Sequence, residues 1–154
     1  MTYNGIEITD TAPRPPDAVI AEVERLLGAP LPEDYLNFLD KCNGGVVECG
    51  LRTDSGSAYE FGTFYQFHLA NKSAANPHQL VLETDRGGLP PLVLPIAIDV
   101  TQHVRLYLDL RTKPSVQLFN DGSQPAWADE GIGPRLERIG DSFSELWDLL
   151  TPFD

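Results

Sequence analysis

The chain has 154 residues, 42% hydrophobic and 22% charged, the size and make-up of one folded domain; a disordered or collagenous chain is excluded. Eleven Lys and Arg, scattered singly, stand against 23 Asp and Glu, a formal net charge of −12. That balance argues against nucleic acid and anionic membranes as partners and favours a basic one, although an acidic surface also serves solubility alone. No apolar run reaches the roughly 18 residues of a membrane span. The opening Met1-Thr2-Tyr3-Asn4-Gly5 lacks the basic start and apolar stretch of a signal peptide, so the expected compartment is the cytoplasm.

Ile6-Glu7-Ile8 reads as a short strand. Pro15-Pro16-Asp17 then opens an amphipathic helix in which Val19, Ile20, Val23, Leu26 and Leu27 recur at helical spacing, stopped by Gly28. After a tight corner at Ala29-Pro30-Leu31, a second helix starts with Pro32 at its first position. Its inward stripe is Tyr35, Phe38, Leu39 and Cys42, and Asn43-Gly44-Gly45 stops it. The middle reads as sheet: Val46–Leu51, then Tyr59–Phe61 and Phe64–Leu69 as two runs broken at Gly62, with a turn over residues 52–57. Residues 76–86 read as a helix opened by Asn76-Pro77, or as a strand around Leu80-Val81-Leu82. Leu92–Val100 is a buried strand. Val104, Leu106, Leu108 and Leu110 alternate with Arg105, Tyr107 and Asp109 as a half-buried strand, joined by a hairpin to Val116–Leu118. Residues 120–135 are loop, with Trp127 their one large apolar anchor. Ser142-x-x-Glu145 is a capping box for a closing helix with Phe143, Leu146, Trp147 and Leu150 on one face, ended by Thr151-Pro152. The expected fold is α+β: a mainly antiparallel sheet with two N-terminal helices and a C-terminal helix packed on it, a single domain over residues 1–154.

The residues offer no catalytic constellation. His68, His78 and His103 fall in separate elements without HxxxH or HExxH spacing, so neither a metal site nor a cofactor is expected. Cys42 and Cys49 match neither a redox pair nor half of a zinc site and read as free thiols. A helix C-terminus would raise the Cys42 pKa, and a small core residue is the better account of it. No GxSxG elbow or phosphate-cradling glycine loop is present.

Three segments together are distinctive: Ile20-x-x-Val23-Glu24-x-x-Leu27-Gly28; Leu31-Pro32-Glu33-Asp34-Tyr35-Leu36-x-Phe38-Leu39; and Cys42-Asn43-Gly44-Gly45. Leu94-Pro95-Ile96-Ala97-x-Asp99 and the closing Ile139-Gly140-Asp141-Ser142-Phe143-Ser144-Glu145-Leu146 follow. This order resembles the SUKH superfamily, which includes bacterial immunity proteins and a yeast cell-wall synthesis regulator, from about residue 16 to the end. Where many members carry a glycine-rich turn after Asp99, Val100-Thr101-Gln102-His103 stands here.

The resemblance implies an α+β fold and a non-enzymatic, protein-binding role, often as the antidote to a cognate toxin such as a nuclease or deaminase. Pro32, Tyr35 and Gly44 are then scaffold. The acidic surface suits a basic toxin domain. The expected contact residues are Asp54, Glu60, Asp121, Asp129 and Glu130, with Trp127 either an aromatic anchor or a pin holding its loop to the core. The rival readings are a regulatory scaffold without a toxin partner and a small hydrolase using Cys42 or a histidine.

Overall fold

The computed structural model describes residues 1–54, 56, 58–67, 91–101, 104–111, 115–119 and 136–152, and these form three helices and nine strands. The α+β architecture expected from the sequence is present. The expectations for residues 76–86, the loop over 120–135 and the link at 112–114 lie outside the described residues.

Helices α1 (Asp17–Leu27) and α2 (Glu33–Lys41) each follow a proline. Pro16 and Pro32 stand at the N-cap, one position earlier than the expected first turn. There a missing N–H costs nothing, and each carbonyl accepts the first helical bond, from Ile20 N at 3.1 Å and Leu36 N at 3.0 Å. Gly28, at φ 92°, ends α1 by donating to the Glu24 carbonyl, and the Glu24 carboxylate takes Leu31 N at 2.6 Å to set the corner. The helical stripes read from the sequence are the buried ones: Val19, Val23 and Leu27 in α1, and Tyr35, Phe38 and Leu39 in α2.

The strands are β1 (Thr2–Tyr3), β2 (Ile6–Thr9), β3 (Gly45–Arg52), β4 (Ala58–Phe64), β5 (Val93–Asp99), β6 (Arg105–Asp109), β7 (Ser115–Phe119), β8 (Leu136–Gly140) and β9 (Leu150–Pro152). From β1 to β8 each pairs antiparallel with the next. Helix α3 (Phe143–Leu149) leads into β9, which returns to β3. Two strands therefore share one edge of β3. β2 pairs through Ile8↔Val47 and Thr9↔Val46, and β9 through Cys49↔Pro152, Gly50↔Thr151 and Leu51↔Leu150.

Three expectations need correction, and one strand goes beyond them. β4 runs unbroken through Gly62, because register shifts toward both neighbours absorb the irregularity, and it ends at Phe64, while residues 68–69 of the expected second run lie outside the described residues. Thr151-Pro152 is strand, with Pro152 at the chain's edge of pairing. β8 was not anticipated, since Leu-Glu-Arg-Ile-Gly is too short to show a period. β6 is buried on both faces: Tyr107 is 1% and Asp109 7% exposed, like Leu106 and Leu108 at 0%.

All three helices contribute to one core with the inward residues of the sheet. At its centre Tyr35, Phe38, Phe64, Phe143 and Trp147 meet as aromatic pairs, including Tyr35–Phe143 at 4.9 Å and a stacked Phe64–Trp147 at 5.2 Å. Such pairs contribute about 0.5–1.5 kcal/mol each beyond burial. Ser142 Oγ accepts from Glu145 N at 3.2 Å, as a capping box requires. Glu145 reaches back one residue further than expected, to Asp141 N at 2.6 Å.

Asn43-Gly44-Gly45 does more than stop a helix. Asn43 is 1% exposed. Its Nδ2 donates to the Phe67 carbonyl and its Oδ1 accepts from Phe67 N, both at 2.9 Å. Gly44, at φ 64°, lies so close to the next segment that a Cβ would fall 2.4 Å from the Tyr65 carbonyl oxygen. Asp99 closes the end of β5: its carboxylate accepts from Val104 N at 2.9 Å and from Thr101 Oγ1 at 2.6 Å. A short carboxylate does here what a glycine-rich turn would do by flexibility.

Candidate interaction face

Alternation in a strand sends every second residue away from the core. On β5–β7 those residues are covered: Val93, Tyr107 and Gln117 are all buried. On β2–β4 they are open. Glu7, Thr9, Glu48, Arg52 and Glu60 are exposed, and Val46 and Gly50 are half-buried. Among the described residues, the side of the sheet away from the core is therefore buried over β5–β7 and open over β2–β4.

Within this bare face lies a groove of about 390 Å³, lined by Gly5, Glu7, Thr9, Val46, Glu48 and Pro152. It forms where β9 comes in beside β3 and the start of β2 gives way. Two carboxylates, Glu7 and Glu48, line it. Neither they nor Glu60 have an ion-pair partner among the described residues, whereas acids elsewhere do, as Asp17 and Asp40 do with Arg14. Val100, 53% exposed, lies over Gly62 of β4 and donates its N–H to the Glu60 carbonyl at 2.9 Å.

Of the contact residues expected from sequence, Glu60 lies on this face. Asp54 is exposed in the turn after β3, closed by Gly56 N donating to Thr53 O at 2.9 Å. Asp121, Trp127, Asp129 and Glu130 lie outside the described residues. Glu7 and Glu48, not named from the sequence, also lie on the open face. Their signal was the alternation itself, Ile6-Glu7-Ile8 and Val47-Glu48-Cys49, which places an acid opposite each buried pair.

The thiols are sealed. Cys42 is 0% exposed; its Sγ donates to the Gly44 carbonyl at 3.1 Å and lies 3.0 Å from Thr11 Oγ1. Burial pushes its pKa up, against the lowering effect of the Thr11 contact, and pushes Cys49 up to about 11. A covered, protonated thiol is a poor nucleophile. No group of three or more His, Cys, Asp or Glu side chains placed to hold a metal occurs among the described residues. No described helix is long and apolar enough to cross a membrane.

The sequence matches the model of the SMI1 / KNR4 family (SUKH-1) over residues 15–148. No curated protein and no solved structure matches it. The match takes in both N-terminal helices, the sheet from β3 to β8 and most of α3, and it is consistent with a toxin-immunity or regulatory role. With most of its length covered, the chain belongs to the SMI1 / KNR4 family (SUKH-1).

Proposed function

We propose that this chain is a non-enzymatic immunity protein, acting in the cytoplasm, that binds a cognate bacterial toxin of basic surface and blocks it. The family match over residues 15–148 carries the reading. The net charge of −12 and the acids on the open sheet face that have no ion-pair partner among the described residues support it. The toxin class that fits best is a nuclease or deaminase domain, because a protein that acts on a nucleic-acid backbone carries cationic surface complementary to these acids. Neutralisation then needs no chemistry from the immunity protein, only a rigid body seated over the toxin's active site or substrate path.

The test uses the purified chain and the product of the gene immediately upstream of its own. A stable complex on gel filtration is expected, with loss of the toxin's activity and an association rate that falls as salt rises through the physiological range. Absence of a complex, with housekeeping proteins recovered in its place, would favour the second reading that the family match supports, a regulatory scaffold without a toxin partner.

A further inference from the structure

We propose that the open face over β2–β4 docks a cationic segment of a partner protein, with one Lys or Arg side chain entering the groove between Glu7 and Glu48. The inference rests on the protein-binding reading above and adds to it the surface and the recognition chemistry.

Four observations converge on this occupant. The first is that the same side of the sheet is covered over β5–β7 and bare over β2–β4. The second is charge: Glu7, Glu48 and Glu60 stand without an ion-pair partner among the described residues. The one described cation on these strands, Arg52, sits at the far end of β3 from the groove. Two like charges lining one groove cost the free protein some stability, and such a cost persists where a bound cation offsets it. The third is shape. About 390 Å³ is near the floor of the roughly 300–1,000 Å³ typical of small-molecule sites, and suits one long side chain. Val46 and Pro152 offer apolar walls to an alkyl stem, and the two carboxylates hold the charged head. The fourth is Val100, which gives the approaching backbone an apolar contact beside Glu60. Two carboxylates fall short of the set that fixes a divalent metal, so the fitting cation is an organic one.

The experiment titrates the isotope-labelled full chain with a hexa-arginine peptide at low salt and follows the backbone amides by NMR. Shifts concentrated on the amides of residues 5–9, 46–48 and 151 are expected. Glu7→Gln with Glu48→Gln should weaken binding roughly tenfold, as the loss of two partly exposed ion pairs implies. Asp148→Asn, an exposed acid on α3, should leave it within about twofold. Glu48→Gln alone should melt no lower than the parent, since it relieves repulsion, and Glu7→Gln serves as the second single variant should Glu48→Gln not fold. Shifts spread evenly over all acidic residues, or a double variant that binds as well as the parent, would overturn the proposal. The two readings fail separately. A toxin neutralised equally well by the double variant refutes the groove and leaves the immunity role standing. Localised peptide binding without neutralisation by the parent chain does the reverse.

Discussion

Replacing Asn43 by Ala removes one side chain and strands two backbone groups. In the native protein Asn43 Nδ2 and Oδ1 pair with the carbonyl and amide of Phe67, both at 2.9 Å, and the two residues are 1% and 2% exposed. A buried donor or acceptor left without a partner costs about 1–3 kcal/mol, so the pair together costs about 2–6 kcal/mol, and about 4 kcal/mol is the working expectation. A domain of this size has about 5–15 kcal/mol in total, so the variant keeps its fold with little margin. Urea unfolding followed by circular dichroism measures the loss, with an unchanged m-value showing that stability and not compactness has moved. Asn43→Asp is the informative companion. It keeps an acceptor for Phe67 N but sets a buried carboxylate oxygen against the Phe67 carbonyl, so at neutral pH it should be at least as damaging as alanine. A loss below about 1 kcal/mol for Asn43→Ala would mean that Phe67 finds other partners and that the clamp does not hold the two segments together.

Gly44→Ala should destabilise by more than about 2 kcal/mol in the same assay, because a positive φ and a Cβ placed 2.4 Å from the Tyr65 carbonyl oxygen both oppose it; a neutral result would mean the segment shifts freely. Trp147 is 3% exposed and its Nε1 has no acceptor among the described residues, so Trp147→Phe, which removes that donor, should cost under about 2 kcal/mol where Trp147→Ala costs about 3–5; equal losses would contradict this account. The buried Cys49 thiol titrates near 11, above the 9.0 of an ordinary thiol, and burial also raises Tyr35, Tyr107 and Cys42. The folded state keeps these groups neutral while the unfolded chain ionises first. The Cys49 contribution is therefore complete below about pH 9 and is lost as pH rises toward 11, and the raised tyrosines extend the loss to higher pH. Melting temperature should fall across that window, less steeply in Cys49→Ala, and a flat profile would refute the burial.

Local periodicity made much of this fold legible. Val19, Val23 and Leu27 announced one buried stripe, Tyr35, Phe38 and Leu39 another, and Ser142 its cap. Each signal lies within a few residues of the structure it specifies. What was not legible depends on residues far apart in the chain. β9 pairs because Thr151 meets Gly50, 101 positions away, and no feature of Thr151-Pro152 itself distinguishes a strand from a helix end. The burial of Tyr107 and Asp109 comes from what covers the second face of β6, which alternation within that strand does not encode. The site divides the same way. Charge and family likeness pointed to an acidic contact surface, and of the residues named for it Glu60 lies on the open face. Glu7 and Glu48 stand side by side through the long-range pairing of β2 with β3, and the return of β9 adds Pro152 as a wall of the groove.

The central claim, that this chain protects by covering a toxin, is tested most directly by bacterial growth. The upstream gene's product is induced in cells with and without this chain. Full growth is expected with the parent protein and arrest without it. Arrest in the presence of abundant, folded parent protein would contradict the account.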